Sequence, residues 1–218
     1  MRRGRGMIED EKALDRIVFF SDAIFAIAMT LLVLDLRVPI LPSGLTDAER
    51  THQLSSALER LAPSMFSFAL SFFVIGLLWM THHRKFRLIR RYDDGLIWLN
   101  LAFLFCIAFL PFPTAVLGRD GGLVGTVLYA ISITVTGVFS ALITVSAYRR
   151  HRLIDEDIDA ASIRHWMRRT AVVPVVFAIS IPIAFASPEA ARWTWALAFV
   201  LSSSLEFTRR RAGMQAEG

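Results

Sequence analysis

The chain has 218 residues, 55% of them hydrophobic, and a mean hydropathy of +0.50, a value that soluble domains of this size rarely reach and polytopic membrane proteins routinely do. Its net charge of +5 does not call for a nucleic-acid partner, because the basic residues fall in short runs between apolar segments, as in loops flanking membrane spans. The one cysteine, Cys106, sits inside an apolar segment, which rules out an intramolecular disulfide and suggests no thiol metal site.

Residues 1–15 are polar and read as a cytoplasmic lead-in. The basic head MRRGRG is followed by the charged stretch EDEKALDR and not by the apolar core of a cleavable signal, so the first apolar segment is expected to stay in the mature protein. Six segments long enough to cross about 30 Å of hydrocarbon follow, at about 17–36, 62–82, 95–117, 123–148, 170–187 and 191–208. Pro174 and Pro182 are expected to kink the fifth, which neighbouring helices tolerate. The loop at 37–60 contains Pro39, Pro42 and Gly44 and then DAERTHQLSSALER, a polar stretch with helical character. The links LGRDGG and SPEAAR are short, the FSD tripeptide occurs once and no duplication is visible. The expectation is an all-α polytopic membrane protein, a single six-helix transmembrane domain over residues 1–218.

Basic residues set the orientation. With the amino end inside, the cytoplasmic pieces hold nineteen Lys or Arg and the outer pieces five: Arg37, Arg50, Arg60, Arg119 and Arg192. The positive-inside rule then places both termini in the cytoplasm.

The first span, RIVFFSDAIFAIAMTLLVLDL, carries a carboxylate, Asp22, one turn inside its amino end. An ionisable residue in hydrocarbon is costly and marks a functional-site hypothesis. On a helical wheel Phe20, Ala23, Ile24, Ile27, Leu31 and Leu34 gather within about 60° of one direction. Thr30 lies at the edge of this stripe, and Arg16 shares its side at the cytoplasmic end. Asp22 falls nearly opposite, with Phe25, Met29 and Leu36. A carboxylate there suits a fixed hydrogen-bond hub better than a pore ligand. Its candidate partners at similar depth are Trp79, His82, His83 and Asn100, with Arg16 if the helix end bends. The stripe by itself reads as packing surface against lipid or another helix.

Other signals are weaker. His82 and His83 are adjacent, face different directions on a helix and cannot both ligate one metal without further ligands. Gly121 and Gly125 form a GxxxG that reads as a loop boundary. Asp155, Glu156, Asp157 and Asp159 read as a solvated acidic loop. No phosphate-binding, nucleophile-elbow or metalloprotease motif occurs, so no enzyme, cofactor or metal is expected. No TVGYG-like carbonyl filter is present either.

Arg16 followed by FFSDAIFAIAMTLLVLDL resembles the first-helix signature of the transmembrane protein 175 family. LLWMTHHRKF, Leu77 to Phe86, is similar to that family's Trp, His-His and Phe hallmark. LNLAFLFCIAFLPFPTAVLG, Leu99 to Gly118, is similar to its third-helix stretch with an Asn and an LPFPT end. The resemblance implies a leak-type channel selective for potassium over sodium in a bacterial plasma membrane. It also implies a homotetramer with the first helix lining a central pore, and potassium ions and the bilayer as partners. Carried over, it makes Ile27, Leu31 and Leu34 the hydrophobic constriction and Thr30 the selectivity hydroxyl. Arg16, Phe20, Ser21, Asp22, Trp79, His82, His83 and Asn100 become an inner-side structural network. Wheel and resemblance single out the same stripe, which turns its reading from packing surface to pore lining. A proton-coupled secondary transporter using Asp22 and His82 or His83 as a relay is the alternative, and predicts saturable flux driven by pH.

Overall fold

The computed structural model describes residues 2–149 and 160–198. The acidic run at 155–159, the last part of the sixth expected span and the RRR run after it lie outside the described residues. All regular structure among the described residues is helical. Four stretches are long and apolar enough to cross a membrane, Lys12–Asp35, Asp47–Phe86, Asp94–Asp120 and Leu123–Arg149, and a shorter apolar one runs over Thr170–Ala186. The protein is a multi-pass membrane protein.

Helix α1 (Arg2–Leu31) tightens at its end into a 3₁₀ turn over Leu32–Asp35. A loop with Gly44 at φ 87° leads to α2, which runs from Asp47 to Phe86 and starts at a reciprocal cap. The Thr46 amide donates to Glu49 Oε2 at 2.9 Å, and the Glu49 amide donates to Thr46 Oγ1 at 3.4 Å. At about 1.5 Å per residue α2 is about 60 Å long, twice the hydrocarbon thickness. The polar stretch expected in the outer loop is therefore the first turns of the second membrane helix, projecting beyond the bilayer.

The third expected span is two helices in line, α3 (Asp94–Phe109) and α4 (Pro111–Asp120). Asp93 caps α3 by accepting the Leu96 amide at 2.8 Å. Pro111 has no amide hydrogen and so opens a new helix more readily than it continues one. Gly121, at φ 58°, closes α4 in the left-handed conformation. Helix α5 is Leu123–Arg149, α6 is Ala160–Ala186 and α7 is Pro188–Thr194, capped by Ser187. Helix α6 runs through both of its prolines.

Without a hydrophobic drive between helices in lipid, contacts depend on small residues and on polar side chains that bond across. At Gly118 in α4 a Cβ would meet Ser67 Oγ at 2.5 Å and the Ser64 Cα at 2.9 Å, so α2 and α4 cross almost backbone to backbone. At Gly137 in α5 a Cβ would stand 2.2 Å from the Pro174 ring of α6. Gly125 packs on the Leu117 backbone, so the Gly121–Gly125 pair serves a loop boundary and a contact within the chain. Across the middle, Thr114 Oγ1 donates to Ser71 Oγ at 2.8 Å, and Ser71 Oγ donates to Tyr129 Oη at 3.0 Å. Tyr129, Phe177 and Trp195 form a buried aromatic cluster, and the Trp195 indole donates to Ser180 Oγ at 2.8 Å.

These contacts predict that Gly137→Ala lowers stability by about 1–3 kcal/mol, because the proline ring has no flexible end to move aside. Gly76→Ala, where nothing lies within 4 Å, should be neutral or mildly stabilising through helix propensity. Thermal unfolding of the detergent-solubilised variants separates the two. Equal melting temperatures would show that the α5–α6 contact relaxes freely.

Candidate functional site

Helix α1 has a tied face and an uncovered one. Ser21, Phe25, Ala28 and Leu32, at helical spacing, are buried, Phe25 being 1% exposed. Phe25, Ala28 and Leu32 belong to the buried core that also holds Leu78 and Phe86 of α2 and Phe103, Leu104 and Ile107 of α3. The expected stripe lies on the other side. Phe20, Ile27, Leu31 and Leu34 are exposed, Ile27 at 57% and Leu34 at 69%. Ala23 and Thr30 are exposed as well, and Ile24 is half-buried. Thr30 Oγ1 donates to the Ile27 carbonyl at 2.9 Å. That bond uses the hydroxyl proton and leaves the oxygen's lone pairs facing outward.

The polar residues named from the sequence divide into two groups. In one, the Trp79 indole donates to Asp22 Oδ1 at 2.8 Å, and the His83 ring lies 5.6 Å from that of Trp79. Asp22 and His83 are half-buried, so this group forms the rim. In the other, Asn100 Nδ2 donates to Ser21 Oγ at 3.1 Å, and Ser21 Oγ donates to the Ile17 carbonyl at 2.8 Å. Asn100 Oδ1, 2.9 Å from His82 Nε2, is then an acceptor, which requires the proton on Nε2. Every bond along this path runs in one direction, from α2 through α3 to α1. The His82 ring is stacked on Phe103 at 5.2 Å between ring centres and lies 4.5 Å from Phe86 and 5.6 Å from Phe25.

Two residues of the expected network stand apart. Phe20 is half exposed and belongs with the stripe. Arg16 is exposed on α1, and among the described residues no hydrogen bond ties it to either group. His82 and His83, neighbours in sequence, serve different groups because successive helical residues point about 100° apart.

Sequence reasoning missed Lys85, which it counted among the cytoplasmic charges. It is 4% exposed, and its Nζ donates to the Ser140 carbonyl at 2.7 Å and to Ser140 Oγ at 2.5 Å in α5. The signal was available. Ser71, Val74, Ile75, Leu78, His82 and Lys85 recur at helical spacing on one buried face of α2. Phe25 and Phe103, which enclose His82, were likewise not named as its neighbours.

Comparison with known proteins adds three findings. The sequence profile of a family described as endosomal/lysosomal potassium channel TMEM175 matches residues 16–111. A protein of Streptomyces collinus named a potassium channel is 33% identical over 178 residues, 79% of this chain and 82% of that protein. One of Chamaesiphon minutus, also named a potassium channel, is 32% identical over 177 residues, with 79% and 84% covered. Among solved structures, that of a lysosomal potassium-selective channel TMEM175 homolog from Chamaesiphon minutus superposes with a TM-score of 0.72. It is 28% identical and covers 90% of this chain and 98% of that one.

The two groups differ in what a substitution removes. Asn100→Leu strands the His82 Nε2–H in a dry site and leaves Ser21 Oγ, still bonded to the Ile17 carbonyl, without its donor; it should cost about 1–3 kcal/mol. Asp22→Asn keeps an oxygen for the Trp79 indole and should cost less than Asp22→Leu, which removes it. Melting temperature and yield of assembled protein measure the order. Asp22→Asn as damaging as Asp22→Leu would mean that the carboxylate's charge, and not its acceptor, is what Trp79 holds.

Proposed function

The chain belongs to the TMEM175 family, and from that we propose that it is a potassium channel subunit whose first helix lines a central pore. The observation that carries the reading is the division of α1 into a face fixed by Ser21, Phe25, Ala28 and Leu32 and an opposite face, Phe20 to Leu34, that is largely uncovered among the described residues. Copies of α1 set around an axis would bring those uncovered faces together. We take the assembly to be a homotetramer of six-helix units spanning residues 1–218, in a bacterial plasma membrane, with both termini in the cytoplasm.

In this arrangement Ile27, Leu31 and Leu34 form successive apolar rings along the axis. A narrow apolar ring excludes water and ions unless it widens, and so gates by dewetting. Selectivity for potassium over sodium then arises from pore width, partial dehydration and the outward lone pairs of Thr30. The inner-side bonds from Ser21 to Asn100 and from Asp22 to Trp79 hold α1 at a fixed rotation, so the rings face the axis. The Trp79 indole proton goes to Asp22 and the His82 Nε2 proton to Asn100, which suits a structural role better than a proton relay.

Purified protein in liposomes should pass potassium down its gradient rapidly, without saturation and in preference to sodium. Ile27→Asn should wet the constriction and raise the current several-fold while assembly is unchanged. Flux that appears only with an imposed pH gradient would instead make Asp22 and His82 or His83 proton carriers. An Ile27→Asn variant that assembles and conducts no better than wild type would remove Ile27 from the constriction.

A further inference from the structure

The stripe ends at Leu34, and the next residue is the carboxylate Asp35, last in the 3₁₀ turn. Its Oδ1 accepts a hydrogen bond from Arg119 Nη2, one residue before the end of α4. The Asp35 side chain is 19% exposed and that of Arg119 63%. The arginine's backbone is well anchored. Its neighbour Gly118 lies against Ser64 and Ser67, Ser64 Oγ donates to the Gly118 carbonyl at 3.3 Å, and Gly121 closes the helix just beyond. A fixed cation therefore faces a carboxylate that terminates the pore-lining helix. An exposed pair of this kind adds little to stability, so its position calls for another account.

Resting on the pore reading above, we propose that the Asp35–Arg119 pair sets the electrostatic potential of the mouth at the carboxyl end of α1, and with it the supply of cations to the pore. In a tetramer, four Asp35 carboxylates stand next to the Leu34 ring, each neutralised by an Arg119 guanidinium. A ring of unpaired carboxylates concentrates cations at a pore entrance, and a ring of unpaired cations repels them. Arg37, exposed two residues on, contributes the same charge in every variant below and drops out of the comparison. The pair thus holds the mouth between two extremes that single substitutions reveal.

The test is potassium current in planar bilayers, read at about 10 mM salt, where the screening length is about 30 Å, and at about 1 M, where it is about 3 Å. Arg119→Gln frees the carboxylates. It should raise current entering through that mouth by at least about two-fold at low salt, and add block by magnesium from that side alone. Asp35→Asn should lower the current by a similar factor. Arg119→Lys, which keeps the charge, should behave as wild type, and so should the double variant Asp35→Asn with Arg119→Gln. All differences should vanish at high salt. A purely structural latch would leave the double variant as impaired as the single ones and its deficit indifferent to salt. That result, or Arg119→Gln without magnesium block in normally assembled protein, overturns the proposal. Should Arg119→Gln fail to assemble, Asp35→Asn compared with wild type at the two salt levels decides it. An absence of current from both wild type and Ile27→Asn would overturn the channel reading itself, and this inference with it.

Discussion

The bond on which the arrangement of this protein most depends joins Asn100 of α3 to Ser21 of α1, with His82 of α2 on the other side of the same amide. In hydrocarbon a polar group without a partner is costly, and this one amide satisfies two helices at once. It also sets direction. Because the amide nitrogen is turned to Ser21 and the oxygen to His82, rotating α1 by one residue would break the path and carry Phe25 out of its pocket between His82 and Phe103. What α1 presents on its far side follows from what it fastens on its near side.

The rest of the bundle keeps that bond in place by close approach more than by bulk. Gly118 lets α4 cross α2 almost at van der Waals contact, and Gly137 does the same for α5 against the Pro174 ring of α6. The hydroxyl path from Thr114 through Ser71 to Tyr129 joins α4, α2 and α5 at mid-bundle. Lys85 extends the connection at the other end of α2. Its buried Nζ is held by Ser140 of α5, so the helix carrying His82 is pinned to its neighbours at two heights. A rigid outer frame is what allows a helix in contact on only one side to keep a defined azimuth.

Chemistry is thereby divided between the two sides of one helix. The near side is polar where it must be and fully bonded. The far side is apolar except for Thr30, whose proton is spent on Ile27 and whose oxygen is left outward. At its end Asp35, already paired with Arg119, places a charge beside that apolar face.

The amino-acid sequence by itself determined that the protein is helical and multi-pass, and that the first helix has two faces. Hydropathy over twenty residues and a repeat of about 100° are local properties, written wherever the chain goes. It also named Asp22, Trp79, His82, His83 and Asn100, because polar residues inside apolar spans are few enough to notice, while Ser21 entered through the family resemblance. Only the tertiary structure decided how they pair. Sequence gives each residue's depth to within a turn but not the rotation of one helix against the next, so Trp79 and not a histidine meets Asp22, and Asn100 meets Ser21 and His82. The same missing rotation hid Lys85, whose charge placed it in a loop while its helical register placed it in the core. Hydropathy also trimmed α2 to its apolar part and joined α3 to α4, since it does not register a helix continuing into water or a proline restarting one in line. The partnership of Asp35 with Arg119, eighty-four residues apart, lay wholly in the packing of α4 on α2, which no local pattern encodes.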